Sequence, residues 1–533
     1  MGRGRRTVWA AACAWAACCA AIAPGTARAD ASDTLVLAVG APVTSIDPHY
    51  HNLSPNNSLT SHIFERLVGR DALARPIPGL ALSWSAVEPT TWEFRLRQAH
   101  FHDGSAFTAE DVAYSLARVP RVRNSPSSFA TFVQAVTGVD IVDAHTVRMH
   151  TAAPYPLLPV DLADVAIISH ALGADPATED FNSGRDAIGT GPFRFVSFKP
   201  GAGIELERNE EWWGEKPAWR HVSYRIISND GARTAALLAG DVALIDSVPT
   251  SDANRLREDK RVSISEIVGL RLIFLALDQG HETAPPSVTG PNGEALARNP
   301  LRDLRVRQAL SLAINRPLLV DRVMENAALP TGQFLPQGSF GYVPDLPAPA
   351  YDPARAKALL AEAGFPDGLR ITLHASNDRY PNDAKIVQAV GQMWTRIGVR
   401  TTVESEPWSS YVGHANKQEY AAMLFGWASA SGEASNPLRA LVARFDPATG
   451  MGAANRGRYA SPTLDALIKQ ALATVDDGAR EHLLQQATRA AMDDVAILPL
   501  HQQKNVWASR ADLHYEARAD EGTLAMGLRP VAQ

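Results

Sequence analysis

Histidines, cysteines and carboxylates are the side chains from which a catalytic or metal centre would be built, and in this sequence they are scattered. The fifteen histidines are dispersed without the spacing of a zinc or nickel site. A tight pair such as His49 with His51 is usually incidental in a loop. No H-E-x-x-H helix, G-x-S-x-G elbow or G-x-x-x-x-G-K-[ST] phosphate loop occurs. The three cysteines, Cys13, Cys18 and Cys19, crowd the first nineteen residues. With no acids paired by a recognisable motif, the sequence points away from an enzyme and toward non-covalent work, with no cofactor implied.

Those cysteines sit in a stretch that reads as an export signal. Arg3, Arg5 and Arg6 precede a charge-free run from Thr7 to Ala23, and Ala27-Arg28-Ala29 places small residues three and one before a cut ahead of Asp30. Residues 1–29 are expected to be removed, leaving a periplasmic chain without a thiol. A spanning helix is an alternative for this segment. Lipidation at Cys18 or Cys19 is another, although Trp15 stands where a lipobox has Leu, and the Arg5-Arg6 pair leaves the export route open. The segment carries four arginines and no acid, so its loss moves the net charge from −6 to −10. An acidic chain argues against nucleic acid as partner. The roughly 500 residues that remain exceed one core and imply two or more lobes.

The elements that must position any site follow from periodicity. Strand alternation marks Thr34–Val39 and Trp92–Leu96, and a helix is expected over Leu59–Leu67. Thr108 with Asp111 caps a helix beginning at Ala109. Helical spacing runs from Leu301 to Met324, with Pro317 ending or restarting it. Asp352-Pro353 opens a helix that Gly364 closes, and Ser461-Pro462 begins another. Leu369–Ala375, Asn382–Ile397 and Val399–Glu404 read as strand, helix, strand, hence a parallel or mixed sheet covered by helices. The Pro- and Gly-rich stretches Gln279–Pro300 and Gln333–Pro353 read as surface crossings.

Five segments in order carry a resemblance: FHDGSAFTAEDVAYSLARV at 101–119, IGTGPFRFVSFKPG at 188–201 with RNEEWWG at 208–214, LRDLRVRQALSLAINR at 301–316, YDPARAKALLAEAGF at 351–365, and FGWASASGE at 425–433. Together they resemble the bacterial extracellular solute-binding proteins of family 5, which serve peptide, nickel and related ABC importers. The resemblance implies an α/β, two-lobed periplasmic binding protein-like fold with two crossing hinge strands, near Val268–Leu277 and Val495–His501, and an additional subdomain on the first lobe. By the same analogy the first lobe comprises 30–70, 186–267 and 501–533, its subdomain 71–185, and the second lobe 268–500. Gly104, Gly189 and Gly191 are expected to form turns, and Asp103, Asp111 and Arg118 to act as caps and surface pairs.

The resemblance also implies a monomer that captures a peptide or peptide-like small solute and delivers it to an ABC permease and its ATPase subunits at the inner membrane. A peptide needs apolar pockets, backbone partners and opposite charges for its ends. Trp408 and Trp427 are candidate walls, with a core pair as the competing reading. Arg379, in SNDRYPND, stands where dipeptide-binding relatives carry the arginine that holds the ligand carboxylate, and Arg271 is a second cation. Relatives place an Asp three residues after the Trp of the G-W element, where this chain has Ala430. Glu433 is the nearest acid, Ser429 just before Ala430 is a further candidate ligand contact, and WASASGEA looks more like the glutathione-binding members. His51 and Asn52 are candidate contacts from the first lobe. Alternatives in the same family are glutathione or another modified peptide, nickel, or haem.

Overall fold

The structure is a computed structural model that describes residues 33–429 and 431–531. The expected leader with its cut after Ala29, the three cysteines and Ala430 lie outside the described residues. Two long antiparallel strands, Val262–Leu277 and Leu498–Arg510, run side by side through the middle of a twelve-stranded sheet. Strands of the chain's first half continue the sheet on one side, among them Thr34–Val39 paired parallel with His221–Ile226. Ala422–Ala428 and Leu369–Ser376 extend it on the other. Two lobes are thus strung on one pair of strands, in the mixed α/β class expected.

Alternation accounts for the length of the first of these strands. Leu270, Leu272, Phe274 and Ala276 enter one core while Ile273, Leu275 and Leu277 enter another, as a two-residue period with both faces covered requires. The register slips between Val268 and Leu272. Gly269 sits at the slip, where a Cβ would come within 2.7 Å of the Asn505 side chain, itself fixed by donating to the carbonyls of Arg518 and Ala519. In the second strand the crossing falls near Gln502–Lys504, where the partners change from Leu272 to Val268. That is later than Val495–His501, because Ala496, Ile497, Leu498 and Leu500 fill second-lobe cores instead. A separate four-stranded sheet of Ala81–Glu88, Thr91–Leu96, Thr146–Thr151 and Val136–Asp143 has its own core around Phe94, Phe107, Val112 and Met149.

Local signals placed many boundaries. The Thr108 N–H donates to Asp111 Oδ2 at 2.8 Å at the start of helix Ala109–Arg118. The long helical stretch breaks into Leu304–Leu312 and Arg316–Arg322, because Asn315 caps the second by accepting from the Leu318 N–H and Pro317 stands in its first turn. Strand Leu369–Ser376, helix Asp383–Arg396 and strand Val399–Glu406 form the expected unit, with the strands parallel.

Three expectations need correction. The first helix runs Ser54–Ile63, not Leu59–Leu67: Pro55 opens it and Phe64 is already extended. Gln333, Phe334 and Leu335 are buried, not surface residues, because the Gln333 side chain exchanges hydrogen bonds with the Val343 backbone and so supplies the partners a buried loop needs. Arg118 is no surface group either. It is buried and pairs with both Asp47 oxygens, at 2.9 and 2.7 Å, tying the loop that precedes helix Ser54–Ile63 to its lobe.

Candidate ligand-binding cleft

A cavity of about 950 Å³ opens between the lobes. Asn52, Leu53 and Ser54 border it from the first lobe, and Leu270, Ala428 and Ser429 from the second. The Asn52 backbone N–H is tied to the Ser127 carbonyl at 2.9 Å and its side chain accepts from Asn57 at 2.7 Å. His51 turns its Nδ1 to the Thr44 hydroxyl, 2.9 Å away, and does not border the cavity. Ser429 is buried, its N–H donating to the Leu270 carbonyl and its hydroxyl to the Glu433 carbonyl, both at 3.3 Å. Residues of both lobes therefore border one space.

Arg379 is brought up beside the same end of strand Ala422–Ala428, outside the cavity wall, by a loop that Asp383 organises. One Asp383 oxygen accepts from the Ser376 hydroxyl and from the N–H groups of Arg379 and Tyr380. Tyr380 then donates its hydroxyl to the Gly426 carbonyl at 3.2 Å. The Arg379 guanidinium stands 5.4 Å from the Tyr380 ring centre and 5.6 Å from that of Trp408. It is exposed and forms no ion pair among the described residues. Trp408 packs edge-on against Tyr380 and Phe425 and touches both second-lobe cores, which favours the core reading for that residue. Trp427 is half-buried and donates its indole N–H to Asn436 at 2.8 Å. Neither tryptophan borders the cavity.

Two expected charges are already spent. Arg271 holds Glu521 through two bonds of 2.9 and 3.0 Å, so it is not a free second cation. Glu433 is buried with both oxygens on Arg480, at 2.8 and 3.0 Å, and also accepts from the Ser435 hydroxyl. It does not stand in for the acid missing at position 430, because turning it to a ligand would strand Arg480 in the interior. His49 is buried, with Nε2 on the Ala166 carbonyl at 2.8 Å and Nδ1 beside Arg118 at 3.1 Å. Burial and the neighbouring Arg118 push it down to about 4, so it is a neutral fold residue and not half of a metal pair.

Sequence reasoning missed Glu65. It borders the same cavity, accepts from the Trp213 indole at 2.9 Å, and is pushed up to about 7 by burial against the opposing pull of Trp213 and Arg97. Arg97 lies over the Trp213 ring at 3.3 Å. The signal was present in RNEEWWG, a doubled tryptophan next to acids, but Glu65 lies 148 positions from Trp213.

A profile of bacterial extracellular solute-binding proteins, family 5 (middle region), matches residues 75–447. The chain is 28% identical over 449 residues to a dipeptide-binding protein of Escherichia coli (strain K12), covering 79% of each. It is 27% identical over 469 residues to a glutathione-binding protein of Pectobacterium atrosepticum, covering 86% of each. Its fold superposes on HbpA2 from Haemophilus parasuis with a TM-score of 0.80 at 24% identity, over 94% of this chain and 100% of the other.

Proposed function

The chain belongs to the bacterial extracellular solute-binding proteins of family 5, and from that premise we propose that its solute is a peptide or peptide-like molecule. The solute is held between the two lobes and handed to the permease and ATPase subunits of an ABC importer. The observation that carries this reading is Arg379: an exposed guanidinium without an ion-pair partner among the described residues, flanked by two aromatic rings, beside the strand end that borders the cavity at Ala428. A planar fork of donors suits a carboxylate. A solute touching both lobes binds the closed state better than the open one, and that difference is what a transporter can sense.

The missing amine partner favours a subset of such solutes. Position 430 is Ala, and Glu433 is neutralised by Arg480. A short peptide with a free α-ammonium at that end would bury an unpaired charge at a cost of several kcal/mol. Amine-blocked or amine-displaced peptides, glutathione among them, are therefore the preferred short ligands, and nickel and haem are the alternatives to test beside them. The protein acts as a monomer that binds without catalysis. It works in the periplasm after cleavage behind Ala29, with 30–70, 186–267 and the residues beyond the crossing near Gln502–Lys504 as the first lobe, carrying 71–185, against a second lobe from 268 to that crossing.

Thermal melting of the chain from Asp30 onward tests this, because a ligand of the native state raises the melting temperature. Glutathione and N-acetylated dipeptides are expected to shift it, and Arg379→Ala to abolish the shift. A response confined to Ni²⁺ or haem would remove the peptide reading.

A further inference from the structure

The cavity does not end at the seat between Leu53 and Ser429. It continues along the first helix to Glu65, Trp212 and Trp213. We propose that this extension is a second part of the solute site: it takes the distal residues of a longer peptide and ends in a position for that peptide's ammonium group at Glu65 beside the tryptophans.

The helix supplies the floor. Ser54, Asn57, Ser58 and Ser61 all border the cavity, and a spacing of three, four and seven residues puts them on one face. All four are small or uncharged hydrogen-bonding residues, and Ser58 is fixed by donating to the Thr523 carbonyl and accepting from the Thr523 N–H, both at 2.9 Å. From Ser54 to Ser61 the helix rises about 10 Å at its usual pitch, room for about three extended residues at ~3.3 Å each. A volume of about 950 Å³ lies near the top of the ~300–1,000 Å³ range of small-molecule sites, which agrees with a solute longer than two residues.

The far end has the chemistry of a cation site. The other half-buried acids on the wall each hold an arginine: Asp71 has Arg75, Asp164 has Arg70, Asp520 has Arg518, and Glu521 has Arg271. Glu65 has none within ion-pair distance among the described residues. The Trp213 indole donates to it at 2.9 Å, and the Thr190 hydroxyl and the Trp212 indole also face its carboxyl. A carboxylate without an ion-pair partner attracts an ammonium by charge, while Arg97 already covers one face of the Trp213 ring. Burial holds the empty-site carboxyl at about 7, with Arg97 and Arg66 as the charged groups facing it. An arriving cation must displace that proton, so binding should tighten as pH rises from 6 to 8.

This inference rests on the peptide reading and explains how a chain with Ala430 could take free-amine peptides: the amine lies further along. Calorimetric titration of peptides from two to five residues that share a C-terminal pair tests it. Free-amine tetra- and pentapeptides are expected to bind at least tenfold tighter than the dipeptide, and to lose that margin on N-acetylation, in Glu65→Gln, and at pH 6. Ser61→Trp should block the long peptides and spare N-acetylated dipeptides. If Ser61→Trp misfolds by circular dichroism, Glu65→Gln and the pH series decide. Equal affinity at every length, unchanged by Glu65→Gln, overturns the extension while leaving the peptide reading intact. Silence of all peptides, acetylated dipeptides included, removes both.

Discussion

Glu433 and Arg379 flank the same strand of the second lobe, and the fold treats them in opposite ways. Glu433 follows the strand's end, buried, with its charge closed on Arg480, whose side chain is also almost wholly covered. Arg379 is exposed, stands on two aromatic rings, and has no ion-pair partner among the described residues. Both are charged groups near a cleft, so position alone does not separate them. What separates them is whether the charge is already answered. A buried, answered charge holds structure, since breaking it leaves an uncompensated partner, whereas an open and oriented charge is available to a ligand.

The largest effect expected from this contrast is on stability. Arg480→Ala should cost about 3–5 kcal/mol, because it leaves Glu433 buried without its partner, and denaturant unfolding monitored by tryptophan fluorescence reads it. A loss under 1 kcal/mol would mean that Glu433 is easily solvated and free to meet a solute after all. Arg379→Ala should do the reverse. Its stability should stay within about 0.5 kcal/mol of the parent, while affinity for a carboxylate-bearing solute falls by about 1.5–3 kcal/mol, roughly ten- to hundredfold, the worth of a hydrogen bond to a charged group. If Arg379→Ala melts early instead, its guanidinium belongs to the aromatic cluster of Tyr380 and Trp408 and not to a ligand.

The same contrast explains how far the sequence could be read. Thr34–Val39, the Thr108 and Asp111 cap, and the strand, helix, strand unit over Leu369–Glu406 were legible because each is written within a few residues of itself. The partners of the charged groups are written elsewhere. Glu433 finds Arg480 47 positions on, Arg118 finds Asp47 71 positions back, and Arg271 finds Glu521 250 positions on. Spacing rules cannot see those pairs, so Glu433 and Arg271 looked free. Arg379 could be nominated because its place in SNDRYPND is where dipeptide-binding relatives carry an arginine, so the resemblance supplied what spacing could not. Glu65 could not, since its partner Trp213 lies in a motif that reads as scaffold. Phe334 and Leu335 were missed for a related reason: a Pro- and Gly-rich stretch normally stays on the surface, but here Gln333 satisfies the backbone polar groups that burial would strand.

A third kind of group, a buried one with no partner at all, supplies the smallest effect and a check on the rule. His501 lies on the second long strand, just before the crossing, wholly buried with neither ring nitrogen hydrogen-bonded among the described residues. Burial pushes it down to about 3. Its folded value lies below the unfolded value, so the neutral form is the one the fold accepts. As pH falls below about 6.5 the unfolded chain takes up a proton that the folded chain refuses, and stability is lost steadily toward pH 3. His49, His62 and His102, each pushed down to about 4 chiefly by burial, act with the same sign. Replacing His501 by Phe removes one of these protons. The variant should therefore gain about 1.4 kcal/mol relative to the parent between pH 7.5 and pH 5.5, one unit below the unfolded value, when urea unfolding is measured at both. An unchanged difference between the two pH values would place water or a proton acceptor beside the ring, and would mean that the crossing is wetter than the packing around His501 indicates.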